Sequence, residues 1–301
     1  MRAVRAAVVP FAIAAALTLA TERPAAWGFE AHRLIADRAV DLLPAAIRPF
    51  FVKHRAFISE HAIDPDLWRT AGWAEEPPQH FMNMDAFGPA PFDAIPRDKD
   101  AAIARFGKDV VQKRGMVPWR VEEMHGRLVR AFADVTAERP YARDNVKFLS
   151  AVIAHYVGDA HVPFHAVVNY DGQVTNQHGV HSRFESHLFE RYRARLRLRP
   201  TPITLTKPPR DFIFDTLVDS AGLVDAMLAA DRQAIGSGDV YDRAYYDRFF
   251  AKAQPVVERR LSEAIAATAA LITHAWQAGG KPSLDDAPSQ DRRRRPATAM
   301  P

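Results

Sequence analysis

The stretch that decides the fold is VKFLSAVIAHYVGDAHVPFH, residues 146–165. Its apolar side chains recur at intervals of three and four residues from Val146 to Tyr156, as they do on the buried face of an amphipathic helix. Four further segments have the same spacing: His32 to Leu43, Val121 to Val135, Ser182 to Leu196 and Val256 to Trp276. No segment alternates as a β-strand does. The sequence therefore predicts an all-α fold, a multi-helix bundle.

Histidines cluster in and just after this stretch. His155 and Asp159 are four residues apart, so a helix places the imidazole and the carboxylate on one face, where they can share an ion. His181 and Glu185 repeat this spacing, and a proline between the two pairs should turn His165 toward the same region. One such pair alone is more often structural than functional. Two pairs on either side of a turned histidine favour a metal site.

Composition narrows the kind of site. Cysteine is absent, which excludes disulfides, thiolate zinc sites and cysteine nucleophiles. A transition metal must therefore be held by histidine and carboxylate, and this donor set suits zinc. The chain carries 40 basic and 36 acidic residues, of which eight basic and four acidic ones lie in residues 1–26 and 279–301. The body is thus neutral and gives no indication of a broad nucleic-acid-binding surface.

The amino-terminal end is typical of an export signal. Residues 1–26 are predicted to be a signal peptide, because two arginines precede an apolar stretch that ends at Ala20 and is short for a membrane span. Cleavage after Ala20 and cleavage after Ala26 both remain open. We expect a periplasmic or secreted protein with no transmembrane segment after cleavage.

The rest of the chain is predicted to be one helical domain and a tail. The all-helical domain spans residues 27–278, and two long loops interrupt it at 85–98 and 166–180. We expect both loops at the surface, where loops of this length are usually functional or mobile. Residues 279–301 are rich in Gly, Pro, Ser, Asp and Arg and are predicted to be a disordered tail.

The order of these residues resembles the superfamily of zinc-dependent phospholipase C enzymes and extracellular zinc single-strand nucleases. That family has an amino-terminal Trp followed by a His, then an Asp, a His-Phe pair, His-x3-Asp-x5-His, and finally His-x3-Asp or His-x3-Glu. The matching residues in this chain are Trp27, His32, Asp66, His80, Phe81, His155, Asp159, His165, His181 and Glu185.

The resemblance implies a bundle that encloses two to three zinc ions. One ion would take Asp66, His80, His155 and Asp159. A second would take His165, His181 and Glu185. A third would take Trp27, His32 and a bridging Asp159. Because the family's Trp binds through its own amino group and carbonyl, this last site requires cleavage after Ala26.

The implied chemistry is hydrolysis of a phosphodiester by a water that the metal ions activate. Asp66 would be the general base, and Arg69 would neutralise charge developing on phosphorus. Asp66 is preferred over Asp64 because DLWR at 66–69 resembles the nucleases' Asp-x-aromatic-Arg. His181 is preferred over His178 because only His181 has an acid four residues further on.

Two substrate classes follow from the resemblance. Glu185 and Glu30 match the phospholipase branch, although aromatic residues that would enclose a choline are missing. Arg69 matches the nucleases, and Phe81 could stack on a base. We expect a phosphodiester substrate, a phospholipid headgroup by a small margin over single-stranded nucleic acid, and no stable protein partner. A non-catalytic zinc-binding protein is the alternative from another class, but Asp66 and Arg69 argue against it.

Overall fold

The computed structural model describes residues 28–236 and 240–285, and these residues confirm the all-α fold. The only β-type pairing among them is an isolated bridge between Met82 and Gly115. The signal peptide and Trp27 lie outside the described residues. The helices are α1 (Phe29–Ala39), α2 (Arg48–Lys53), α3 (Arg55–His61), α4 (Asp64–Thr70), α5 (Lys99–Phe106), α6 (Lys108–Arg114), α7 (Val117–Thr136), α8 (Ala142–Ala160), α9 (Val180–Ser182), α10 (Leu188–Tyr192), α11 (Pro209–Ala221), α12 (Val224–Ile235) and α13 (Arg243–Ala278).

Helix α8 lies at the centre of the bundle. It packs against α1, α3, α7, α11 and α13, and every residue from Ser150 to Ala160 is buried. Because α8 is covered all round, the polar groups of its last turns must be paired inside the protein. Gly158 allows the closest approach, since a Cβ there would lie 3.0 Å from Nδ1 of His32 in α1. No helix in the described part of the chain has the length and apolar character needed to cross a membrane.

Two of the five periodic segments have different boundaries from those predicted. Residues 182–196 are not one helix, because a π-helical turn at Arg183–His187 and a 3-10 turn at Arg193–Arg195 flank α10. Helix α13 begins at Arg243 and runs through Pro255, where the sequence suggested a start at Val256. The carboxylate of Asp242 accepts a hydrogen bond from the N–H of Tyr245 at 2.7 Å and so caps this earlier start.

The loops and the tail also differ in part from the sequence prediction. In the loop at 85–98, Phe87, Phe92 and Ile95 are buried, so this segment covers the core and is a surface loop only in part. The tail was expected from Gly279 onward, but residues 281–285 lie against the bundle and Leu284 is buried. Apolar contact therefore outweighs the polar composition there.

A close backbone contact fixes the segment that carries His80 and Phe81. Met116 donates its N–H to the carbonyl of Pro78 at 2.7 Å, and Val117 donates to that of Phe81 at 3.2 Å. Gly115 lies between these bonds with a φ of 102° and a ψ of 158°, a region that only glycine adopts readily. A Cβ on it would be 2.1 Å from the carbonyl oxygen of Phe81.

We expect Gly115→Ala to lower the free energy of unfolding more than Gly107→Ala, which is its matched control. Gly107 has a similar backbone conformation, with φ 86° and ψ 146°, but open space around its Cβ position. Backbone strain alone should cost about 1–3 kcal/mol in each variant. The clash with Phe81 should add about 1–3 kcal/mol at Gly115. Urea unfolding of both variants measures the difference, and equal losses would contradict the close contact.

Candidate metal centre

Histidines and carboxylates from separate parts of the chain meet at the carboxyl end of α8. Each of them is buried, and the three carboxylates are completely so. The residues are His32 of α1, Asp66 of α4, His80 of the 3-10 turn Pro77–His80, His155 and Asp159 of α8, His165 of the turn Pro163–Ala166, His181 of α9 and Glu185 of the π-helical turn. With Trp27 outside the described residues, every other predicted metal ligand is in this cluster.

Asp159 is the residue that the others share. Its Oδ2 lies 3.0 Å from Nδ1 of His80 and 3.2 Å from Nε2 of His155. Its Oδ1 lies 3.5 Å from Nε2 of His32 and 3.6 Å from Nδ1 of His165. One carboxylate therefore contacts imidazoles from three other segments as well as its own helix, as a bridging ligand would.

The cluster divides into three groups whose potential ligand atoms lie within 4.8 Å of one another. They are His32, Asp66 and His155; His80, His155 and Asp159; and His165, His181 and Glu185. The last group is the predicted second site in full. The middle group has three of the four ligands predicted for the first site, and Asp66 instead groups with His32. These buried clusters can hold a metal ion.

The donor atoms fit a cation because many lack any other partner. Both ring nitrogens of His32, Oδ2 of Asp66 and Oδ1 of Asp159 are buried and make no hydrogen bond within the described structure, whereas Oδ1 of Asp66 is paired with Arg69. Leaving a buried polar group unsatisfied costs about 1–3 kcal/mol, and more for a charged one. Burying ionised carboxylates costs still more without a compensating charge. A bound cation would relieve both penalties.

In two of the histidines, a hydrogen bond to a backbone carbonyl determines which ring nitrogen is left to bind a metal ion. Nδ1 of His155 donates to the carbonyl of Ala62 at 2.8 Å, and Nδ1 of His165 donates to the carbonyl of His80 at 2.6 Å. Since a carbonyl only accepts, both rings carry a proton on Nδ1, and Nε2 is the nitrogen that can donate an electron pair to a metal ion. This outer-shell arrangement orients metal-binding histidines.

In the cluster without a metal ion, His165, His181 and Asp159 have the protonation states that metal ligands need, and His80 is the exception. Burial lowers the pKa of His165 and of His181 to about 4, so both are neutral at pH 7. Burial opposes ionisation of Asp159, but His155 and His165 outweigh it and hold the pKa of this carboxyl well below its usual value. Burial also disfavours a charged His80, yet hydrogen bonds to Asp159 and Glu76 raise its pKa to about 9. A metal ion bound at His80 must displace that proton.

A buried network of polar side chains contacts His80 and was not predicted from the sequence. Oε1 of Glu76 lies 3.4 Å from Nε2 of His80 and accepts a short hydrogen bond from the hydroxyl of Tyr156, while Arg120 lies 3.5 Å from Oε2. The network directs Nδ1 of His80 toward Asp159. Glu76 and His80 are four residues apart, the spacing that revealed the other pairs, but the acid comes first and two prolines lie between them.

A second buried network holds the turn that carries His181 and Glu185. The guanidinium of Arg183 donates to Oδ1 of Asp231 at 3.1–3.2 Å and to the hydroxyl of Tyr245 at 3.0 Å. It also donates to the backbone carbonyls of residues 177 and 178, at the end of the loop at 166–180. This loop is therefore attached to α12 and α13 directly before the ligands.

The structure separates the paired candidates that the sequence left open. Asp66 faces the cluster, whereas Oδ2 of Asp64 lies 2.8 Å from Nδ1 of His61 on the outer side of α4. His181 is buried among the ligands, and His178 is exposed. Both preferences drawn from the sequence agree with this placement.

A cleft of about 400 Å³ opens beside the cluster. It is lined by Arg69, Pro77, His80, Phe81, Asn83, Lys113, Arg114, Phe164, His165, Tyr170 and His181. Nη2 of Arg69 lies 2.9 Å from Oδ1 of Asp66, at the boundary between cluster and cleft. Two of the predicted catalytic and substrate residues, Arg69 and Phe81, thus reach the same space as the ligands.

Glu30 is not in this cleft, which corrects its predicted role. It is exposed on α1, where Arg33 lies 2.7 Å and Arg193 3.4 Å from its carboxylate, and it lines a separate groove. The matching position in the sequence was misleading because Glu30 lies two residues before His32 on α1, and a helix directs such residues to different faces.

Comparison of the chain with protein-family models found no match, and a search of curated proteins found no similar sequence.

We expect Glu76→Gln to weaken metal binding at the His80 group about 10- to 100-fold, because this ligand loses the carboxylate that orients it. Glu75→Gln, at an exposed position one residue earlier, is the control. Competition with a chromophoric chelator measures zinc or cobalt affinity without any need for turnover. Unchanged affinity in Glu76→Gln would show that Glu76 serves folding alone.

Proposed function

We propose that this protein is an exported, zinc-dependent hydrolase of phosphodiester bonds, a member of the superfamily that its sequence resembles. The observation that supports this most is the set of three ligand groups around Asp159 beside a cleft that contains Arg69. Imidazole and carboxylate donors without thiolate suit zinc. Zinc ions there would supply Lewis-acid polarisation of the phosphate and an activated water as the nucleophile.

In the proposed reaction Asp66 accepts the proton of the attacking water. Its carboxylate is completely buried in the cluster, where Oδ1 is paired with Arg69 and Oδ2 makes no hydrogen bond within the described structure. A lone pair on Oδ2 is therefore available for that proton. Arg69 is a quarter exposed and reaches both Asp66 and the cleft. Its guanidinium would bind the non-bridging oxygens of the phosphate and neutralise the charge that develops on them.

The cleft supports nucleic acid over phospholipid, against the small preference drawn from the sequence. The position of Glu30 removes the counter-charge expected for a cationic headgroup. Phe81 lies in the cleft with Arg69, where a ring can stack on a base, a contact worth about 1–3 kcal/mol. Only Glu185 as the last ligand still favours the phospholipase branch.

A storage or scavenging protein for zinc is the competing function. It would need the buried ligands, but not an open cleft with a cation and aromatic rings beside them. The assay that separates the two is hydrolysis of bis-p-nitrophenyl phosphate by the zinc-loaded protein, followed by single-stranded nucleic acid and phospholipid vesicles. Absence of hydrolysis on all three would leave storage as the better account.

We expect two to three zinc ions per chain by elemental analysis. A chain beginning at Trp27 should hold three, and one beginning at Thr21 should hold two, because only a free Trp27 amino group completes the His32 site in this superfamily. A chelator should abolish hydrolysis and lower the melting temperature, since the ions bind only the folded state. One ion or none in both chains would contradict a multinuclear centre.

We expect Asp66→Asn to lower kcat on bis-p-nitrophenyl phosphate by roughly 10²- to 10⁴-fold, the usual contribution of a general base, while most of the metal stays bound. Asp64→Asn is the matched control, because its partner His61 lies away from the cluster. Steady-state kinetics with metal analysis of the same samples makes the comparison. If Asp64→Asn were inactive and Asp66→Asn active, Asp64 and not Asp66 would be the general base.

A further inference from the structure

Two cations that line the cleft have no side-chain partner among the described residues. Lys113 and Arg114 end α6 and line the cleft, and neither side chain makes a hydrogen bond or ion pair with a described residue. Arg69, which also lines the cleft, is paired with Asp66. No carboxylate is among the residues that line the cleft. The positive charge of this wall is therefore available to an anionic ligand.

The backbone holds this wall at a set position relative to His80. Asn83 donates its N–H to the carbonyl of Arg114 at 2.7 Å. The close contact at Gly115, the next residue, holds this segment against Phe81. Arg114 therefore lies beside Asn83. Asn83 follows His80 by three residues, which span about 10 Å in an extended chain. Phe81 lies between His80 and Asn83 along this segment and lines the same cleft.

A buried amide adds a second feature that points to a ligand. Asn83 is only 6% exposed, lines the cleft beside Arg114, and its amide oxygen makes no hydrogen bond within the described structure. A buried amide of this kind normally has a partner. A sugar hydroxyl or a base edge offers the donor that this oxygen lacks, whereas a phosphate offers only acceptors.

These features together suit a chain of nucleotides. A single phosphodiester carries one charge, which Arg69 and the ligand cluster already accommodate. Lys113 and Arg114 line the same cleft as Phe81, and Arg114 is held next to Asn83, three residues after His80, so the two cations suit a second phosphate separated from the first by a base stacked on Phe81. A cationic headgroup would be repelled from the same wall.

We propose that Lys113 and Arg114 form a second phosphate site, next to the reacting phosphate, which selects single-stranded oligonucleotides over substrates with one phosphate. Arg114 binds the phosphate oxygens through its planar guanidinium, and Lys113 adds a point charge. This inference rests on the proposed function, because it takes the ligand cluster as the place of the reacting phosphate.

The test is Arg114→Gln assayed on substrates that differ in the number of phosphates. On a trinucleotide with two internucleotide phosphates, we expect KM to rise roughly tenfold, the value of one lost charge-assisted hydrogen bond, with kcat retained. On a dinucleoside monophosphate and on bis-p-nitrophenyl phosphate, KM and kcat should be unchanged. Lys108→Gln removes the same charge from the other, exposed end of α6 and is the control.

Binding gives a second readout that needs no turnover. With Asp66→Asn as the background, the affinity for a fluorescent single-stranded oligonucleotide is measured against salt concentration. Removal of one phosphate contact by Arg114→Gln should reduce the slope of log affinity against log salt by about 0.7. Arg114→Lys should restore most of this slope, since it keeps the charge. Thermal unfolding establishes that each variant is folded.

The outcomes separate this inference from the proposed function. Equal losses on one-phosphate and two-phosphate substrates, or an unchanged salt slope, overturn the second phosphate site and leave the hydrolase intact. A reduced salt slope in a protein that hydrolyses no phosphodiester supports the site and refutes the hydrolase. If Arg114→Gln weakens only the binding and hydrolysis of vesicles that contain an anionic phosphoinositide, the ligand is a lipid headgroup and the oligonucleotide proposal is wrong.

Discussion

The carboxylate of Asp159 is the interaction on which the rest of the site depends. It is completely buried near the end of the central helix, and four imidazoles lie within 3.6 Å of its oxygens. An ionised carboxylate in this position is stable only with compensating positive charge or hydrogen bonds. The bundle therefore has to bring other segments to one point, and this need explains features such as the close approach of α1 at Gly158.

The ligands are held by a second layer of buried polar groups. Glu76, Tyr156 and Arg120 orient His80, while Arg183 with Asp231 and Tyr245 holds the turn that carries the last two ligands. Both networks join elements that are distant in the chain. They restrict the orientation of the ligands, because each member is packed and hydrogen-bonded to more than one neighbour.

Charge is separated between the cluster and the cleft. The cluster concentrates buried carboxylates, and the cleft beside it is lined by cations and no carboxylate. The near-equal numbers of acidic and basic residues in the body conceal this arrangement. A neutral composition therefore gives no indication of a broad basic surface and says nothing about a local one, since the potential at a site depends on the nearest charges.

What the sequence determined by itself was local. The helical fold and the pairs His155–Asp159 and His181–Glu185 follow from a spacing of three to four residues, which a helix converts directly into a shared face. Even there the π-helical turn at Arg183–His187 went undetected, because one extra residue in a turn leaves the apolar pattern almost unchanged.

Tertiary structure decided which of the remaining residues join the site. Local spacing does not separate Asp64 from Asp66, and only a resemblance at residues 66–69 favoured Asp66. The packing of α4 buries Asp66 in the cluster and leaves Asp64 paired with His61. Glu30 matched a pattern but faces another groove, whereas Glu76 and Arg114 matched none and lie beside the ligands. Their roles depend on contacts across 31 to 80 positions of the chain, from Arg114 to Asn83 and from Glu76 to Arg120 and Tyr156. No local periodicity encodes which side chains meet over such separations.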